Sequence, residues 1–162
     1  MYHHLPGKEM SDTDFAHLLP YGPSFLFVDG IVTFEQGRRI VTWTDWSRRP
    51  DILAAHFRDG PAIVPGALLL EQVAQSALLL RRLSHERDGA LYLGRAMCSF
   101  MMPVSGGALL ETAVALDVPA PMGMGLRGTI ISDGVTVARF TLAVAHAPAS
   151  ATGQPTGHQA SS

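Results

Sequence analysis

Cysteine, lysine and net charge are what this sequence has least of. A single cysteine, Cys98, excludes an internal disulfide and suits a reducing compartment. Lys8 is the only lysine, and the formal net charge is -2, so no basic footprint for nucleic acid and no polybasic patch for a membrane is present. Long apolar runs are missing too. The longest, Ala67 to Leu80, is broken by Glu71, Gln72 and Gln75 and falls short of the ~20 residues of a membrane span. The opening stretch MYHHLPGKEMSDTD lacks the apolar centre of a secretory signal. The expectation is a soluble, cytoplasmic chain with neither a nucleic-acid nor a membrane partner. Chemical motifs are equally sparse: no nucleophile elbow, no glycine-rich phosphate loop and no Cys/His set with zinc spacing. No metal and no cofactor is implied.

What is present is enough for one folded unit. The 162 residues are 47% hydrophobic and 16% charged, values of a globular chain. Residues 1–10 read as a flexible N-terminus, 11–145 as the domain, and 146–162, rich in Ala, Ser, Gly, Pro and Thr, as a disordered tail. Ser11 or Asp12 can cap a short helix through Phe15 to Leu19 that Pro20 stops. Phe25 to Val28 reads as a strand, and Arg39 to Trp46 as another, alternating Ile40, Thr42 and Thr44 against Val41, Trp43 and Asp45. Arg48 to Arg58 reads as irregular. Gly66 to about Glu86 is the one long helix, apolar nearly all round. Strand patterns fill the rest: Ala90 to Phe100, Ala108 to Val118, Gly125 to Ser132 and Val135 to Ala145, with Asp133-Gly134 as a hairpin turn. One helix with five or six strands predicts an α+β fold in which a curved antiparallel sheet wraps the helix. A second copy is the simplest cover for what the sheet leaves open. Cys98, within a strand, reads as a small core residue.

Two ionisable residues interrupt this pattern, in AAHFRDGPAIVPGALLLEQVAQ from Ala54 to Gln75. His56 admits a bland reading, as partner of a backbone carbonyl or a surface residue, beside a functional one. Glu71 lies a turn and a half into the helix, past the capping positions, with Ala67, Leu68, Ala74 and Gln75 around it. A carboxylate there is costly unless paired or protonated, which favours a role. Between the two, Pro65-Gly66 opens the helix and leaves backbone N–H groups able to stabilise a developing oxyanion. A base, an acid and an oxyanion site suit proton abstraction beside a carbonyl with loss of a leaving group.

The chain resembles the hot-dog-fold 3-hydroxyacyl-[acyl-carrier-protein] dehydratases of the His/Glu type over about Leu18 to Val144. LLPYGPSFLFVDGIVTFEQGRRIV is similar to the family's opening of Leu-Pro-His and Phe-Leu-x-Val-Asp. HFRDGPAIVPGALLLEQVAQ resembles its HFPGxPxxPGxLxxE signature, SFMMPVSGGALL stands at its Pro-Val segment, and GLRGTIISDGVTVARFTLAVA resembles its closing hairpin. The resemblance implies a hot-dog fold, His56 as base and Glu71 as general acid. It also implies that backbone N–H at Gly66 or Ala67 holds the thioester oxygen, and that Phe57, Val64 and Phe100 line the acyl tunnel. The implied substrate is a 3-hydroxyacyl phosphopantetheine thioester on acyl-carrier protein, dehydrated to the trans-2-enoyl product in fatty-acid or polyketide-type synthesis. In the family the His and Glu meet across a dimer interface.

Three departures stand out. The segment from His56 to Pro65 is one residue longer than the family's, Tyr21 replaces the histidine of Leu-Pro-His, and Met101-Met102 replaces an often basic pair. Arg48, Arg49, Arg58, Arg81, Arg82 and Arg95 read as solvated surface. Two alternatives stay open: a half-site or non-catalytic subunit of a heterodimer or higher oligomer, and a hot-dog thioesterase that activates water with the helix carboxylate.

Overall fold

The computed structural model describes residues 15–56, 59–84, 91–117 and 124–146. Its elements are β1 (Gly30–Glu35), β2 (Arg39–Asp45), α1 (Pro50–His56), α2 (Gly66–Leu83), β3 (Leu91–Phe100), β4 (Leu109–Leu116), β5 (Met124–Ser132) and β6 (Val135–His146). Single 3-10 turns occur at Ala16–Leu18, Pro23–Phe25 and Trp46–Arg48. The six strands form one antiparallel sheet in the order β1-β2-β4-β5-β6-β3, with β1 and β3 at the edges. Asp133 and Gly134 both have positive φ, 48° and 77°, as a two-residue turn between β5 and β6 requires. The expected ends of the chain, 1–10 and most of 146–162, and the cap at Ser11 or Asp12 lie outside the described residues. Strand β6 itself runs to His146.

Helix α2 packs across β2, β3, β4 and β5. Its Leu69, Val73, Ala77, Leu79 and Leu80 join Ile40, Leu110, Val114, Leu126, Ile130, Phe140 and Leu142 of the sheet in one core. Val73 seats over Gly128, which pairs with Val114 on one side and Phe140 on the other. No helix among the described residues is long and apolar enough to cross a membrane.

The helix is not apolar all round. Gln72, Gln75 and Ser76 are fully buried, and each is satisfied by the sheet or the segment before it. Gln72 accepts from Trp46 Nε1 at 3.0 Å and donates to Thr112 Oγ1 at 2.6 Å. Ser76 Oγ donates to the Gln72 carbonyl, so Thr42 Oγ1, 2.8 Å away, donates to Ser76. Gln75 takes the Phe27 N–H at 2.8 Å and donates to the Phe25 carbonyl at 2.9 Å.

That last pair corrects the first expected strand. Phe25 to Val28 is a 3-10 turn running into an extended segment outside the sheet, and the first strand begins at Gly30. At Phe27 the backbone partners are side chains: Gln75 for the N–H, and Thr44 Oγ1, donating at 2.6 Å, for the carbonyl. Within the stretch Arg48 to Arg58, expected to be irregular, Pro50 to His56 forms helix α1, with Asp51 in its first turn; Phe57 and Arg58 lie outside the described residues. Arg49 is not solvated surface either. Its guanidinium makes a bidentate pair with Asp29, at 2.8 and 3.0 Å, and lies over the Phe27 and Trp46 rings. Arg81 is buried, and Cys98 is exposed on the edge strand rather than in the core.

A Cβ on Gly128 would stand 2.5 Å from Val73 Cγ1, the end of a stiff branched side chain. Gly128→Ala is therefore expected to lower stability by about 1–3 kcal/mol. Adding Val73→Ala should return part of that loss in a denaturant-unfolding double-mutant cycle; strictly additive losses would refute the contact.

Candidate active site

Glu71 sits half-buried on the face of α2 turned to the segment before β1. Its Oε1 accepts from Gln75 Nε2 at 3.1 Å, one turn on. Tyr21, fifty residues earlier in sequence, shares a cavity wall with Glu71. Burial, and after it the nearby Glu71 carboxyl, push the phenol up to about 12. Tyr21 is placed by its own segment, since Gln75 holds the Phe25 carbonyl and the Tyr21 ring packs on Phe25 at 5.9 Å. Rings continue inward from Phe25 to Phe27 at 4.9 Å and from Phe27 to Trp46 at 5.4 Å. Tyr21 and Glu71 face a cavity of about 120 Å³ whose walls include Leu93, Leu126, Leu142 and Val144.

His56 lies elsewhere in the chain, exposed at the end of α1. Its Nδ1 is 3.3 Å from the Ile63 carbonyl. A carbonyl only accepts, so that contact requires the proton on Nδ1 and puts the ring's lone pair on Nε2. The loop that carries Ile63 is fixed in turn. Val64 N donates to the Val104 carbonyl at 2.9 Å, Gly106 N to the Ala62 carbonyl at 2.8 Å, and Ile63 bridges Ser105. The extra residue ahead of Pro65 is thus followed by a segment pinned to the loop before β4. His56 is not among the residues lining the cavity beside Glu71. In this chain His56 meets the Ile63 carbonyl, and Glu71 meets Gln75.

At the start of α2 the N–H groups of Leu68 and Leu69 both donate to the Pro65 carbonyl, at 2.9 and 3.1 Å. Those of Gly66 and Ala67 have no backbone acceptor among the described residues, and no side chain caps this end. They are donors aimed out of the helix, where its dipole favours negative charge. Phe100 lies against this opening: a Cβ on Gly66 would be 3.0 Å from its Cζ, so a larger residue there would require the ring to shift by a few tenths of an ångström. Val64 is buried in the core, and Phe57 lies outside the described residues. The Tyr21 and Gln75 contacts were not foreseen from sequence. Gln75 had a signal, standing one turn from Glu71, and Tyr21 had one in its departure from Leu-Pro-His.

Among known proteins, the chain is 33% identical over 127 residues to the 3-hydroxyacyl-[acyl-carrier-protein] dehydratase FabZ of Anaeromyxobacter sp. (strain Fw109-5), covering 75% of this chain and 80% of that one. It is 35% identical over 112 residues to the enzyme of the same name from Mannheimia succiniciproducens, covering 67% and 74%. The chain belongs to the FabZ dehydratase family. No protein-family model matches it. Among solved structures it resembles the dehydratase heterocomplex ApeI:P from Xenorhabdus doucetiae, with a TM-score of 0.67 at 16% identity over 83% of this chain and 91% of that one. The phenylacetic acid degradation protein PaaI of Escherichia coli gives 0.56 at 13%, covering 73% and 78%. At these identities the structural likeness shows the fold alone, the hot-dog arrangement of one sheet around one long helix.

Because Tyr21 holds its proton more tightly folded than unfolded, its contribution to stability is full below about pH 10 and is lost as pH rises toward about 12. Tyrosinate absorbance should therefore show one late-titrating phenol that is missing in Tyr21→Phe. In Glu71→Gln it should titrate earlier, and an unchanged midpoint there would contradict the part played by the Glu71 carboxyl.

Proposed function

We propose that this FabZ-family chain dehydrates 3-hydroxyacyl thioesters on acyl-carrier protein to trans-2-enoyl thioesters in the cytoplasm, in fatty-acid or polyketide-type synthesis. We further propose that each working site takes His56 from one subunit and Glu71 from another. The observation that carries the reading is a hydrogen-bonded carboxyl in the wall of a largely apolar cavity, at the position matching the family's acid. His56 supports it through the tautomer that its Ile63 contact demands, with the lone pair on Nε2.

The steps balance as follows. Nε2 of His56 takes a proton from C2 of the substrate, and the electron pair moves toward the thioester carbonyl. The carbonyl oxygen gains negative charge and accepts from the N–H of Gly66 or Ala67. The pair then forms the C2=C3 bond as the C3–O bond breaks, and Glu71 gives its proton to the departing hydroxyl, which leaves as water. Transfer of the C2 proton from His56 to Glu71 restores the starting state. Phe100 flanks the thioester end.

The division between subunits is supported by the separation of His56 from the cavity and by the exposed apolar side chains Tyr92, Leu93, Met97 and Phe100 on edge strand β3. A second copy of the chain is the proposed occupant of that edge.

The test is incubation of the purified protein with a 3-hydroxyacyl-carrier substrate and, separately, its enoyl product, with the thioesters followed by mass. Interconversion supports the reading. Free acid points to a thioesterase, and turnover only after a second protein is added points to a half-site subunit. His56→Ala and Glu71→Gln should each lower turnover at least about a hundredfold with the oligomer intact. Mixing the two variants under subunit exchange should restore about a quarter of normal activity, because half the dimers are mixed and one of their two sites is whole. No recovery would place both residues in one subunit's site.

A further inference from the structure

The cavity beside Glu71 continues along α2. Its helix side is made by Glu71, Ala74, Leu78 and Arg81, spaced three, four and three residues apart and so on one stripe of the helix, with Ala77 beside them. Ten residues of α-helix carry that stripe about 15 Å along the axis. The sheet side advances in the same direction. Gly66 meets Phe100, which pairs with Ala138, and Val73 meets Gly128, which pairs with Phe140. Further along β6 come Leu142, paired with Leu126, and Val144, paired with Leu93, and these four complete much of the apolar wall. The cavity therefore runs from Glu71 toward the C-terminal end of α2, past two alanines whose small side chains leave it room. Arg81 is the last α2 side chain on its wall, and it is buried. Bonds from Cα to Cβ tilt toward a helix's N-terminus, so the Arg81 side chain sets out toward Glu71, along the length of the cavity.

We infer that Arg81 is a specificity-determining residue: it ends the channel that holds the acyl chain beyond C3, and so favours short 3-hydroxyacyl chains over long ones. The inference rests on the reading of Glu71 as the general acid, which puts C3 beside that carboxyl and the thioester toward Gly66. A short chain lies between the alanines and the leucines of the sheet. A long one drives its apolar end against a guanidinium that is charged at every working pH, where an apolar wall would have bound it. Tyr92 and Leu93, exposed on edge strand β3, flank the cavity on the side that a second copy is proposed to cover, whereas the arginine belongs to the chain's own helix.

The full-length protein is given 3-hydroxybutyryl- and 3-hydroxydodecanoyl-carrier substrates, and the ratio of kcat/KM for the long over the short is compared between variants. Each methylene that gains an apolar wall is worth roughly fourfold, so Arg81→Ala should raise the ratio at least about tenfold. Arg81→Leu keeps the position filled and apolar should the alanine variant fail to fold, and it should raise the ratio by a smaller factor. An arginine that only supported the fold would change both substrates alike and leave the ratio where it was. A ratio unchanged in both variants, or a wild-type protein that already prefers the long substrate, overturns the inference. A wild-type protein that turns over neither substrate counts instead against the dehydratase reading. The affinities of unreactive S-butyl and S-dodecyl pantetheine thioethers, measured by calorimetry, then decide the channel's end by the same ratio.

Discussion

The register between α2 and its surroundings is held by hydrogen bonds inside the core. Apolar side chains of the helix would pack against the sheet at several rotations and offsets of similar energy. The amides of Gln72 and Gln75 and the hydroxyl of Ser76 have partners at only one. A rotation of α2 by one residue would strand Trp46 Nε1, Thr112, Thr42 and the backbone of Phe25 and Phe27, each buried group costing about 1–3 kcal/mol when unsatisfied. The same rotation would carry Glu71 away from Tyr21. The carboxyl's aim therefore follows from the satisfaction of groups that take no part in chemistry.

This coupling explains where the sequence could be read and where it could not. Strand β2 announced itself through Ile40, Thr42 and Thr44, and the β5–β6 hairpin through Asp133-Gly134, because those signals are local. Phe25 to Val28 had strand-like composition, but its backbone found partners on side chains of Gln75 and Thr44, some 48 and 17 residues distant. Nothing local in FLFV encodes that. Arg49 is similar: its guanidinium is absorbed by Asp29, twenty residues earlier, and by two aromatic rings. Glu71 was legible as an anomaly, a carboxyl among leucines. Its neighbour Tyr21 was legible only as a departure from a pattern, since the two share a wall through tertiary structure. Cys98 misled because strand composition does not say whether anything covers the face a residue points from: β3 lies at the edge of the sheet and Cys98 on it is exposed.

The start of α2 joins two requirements at one glycine. Gly66 leaves its amide and that of Ala67 outside the helix's own hydrogen bonding, and lets the Phe100 ring approach to contact distance. The ring is itself about half exposed, so it flanks these donors on one side and leaves them open to solvent on the other. Phe100 also packs edge-on against Phe140 at 5.8 Å, so its position is tied to the core and to β6.

A tyrosine at position 21, where the resembled Leu-Pro-His pattern has histidine, changes how the wall beside Glu71 responds to pH. An imidazole titrates near neutrality, so beside a carboxyl it can switch between charged and neutral over about pH 5 to 8. A phenol pushed up to about 12 remains a neutral donor throughout that range. Glu71 then has one neutral amide donor, Gln75, and shares its cavity wall with a phenol that stays uncharged. The field at Glu71 is set by geometry rather than by a second titration, and geometry here is set by the buried glutamines one turn further along the helix.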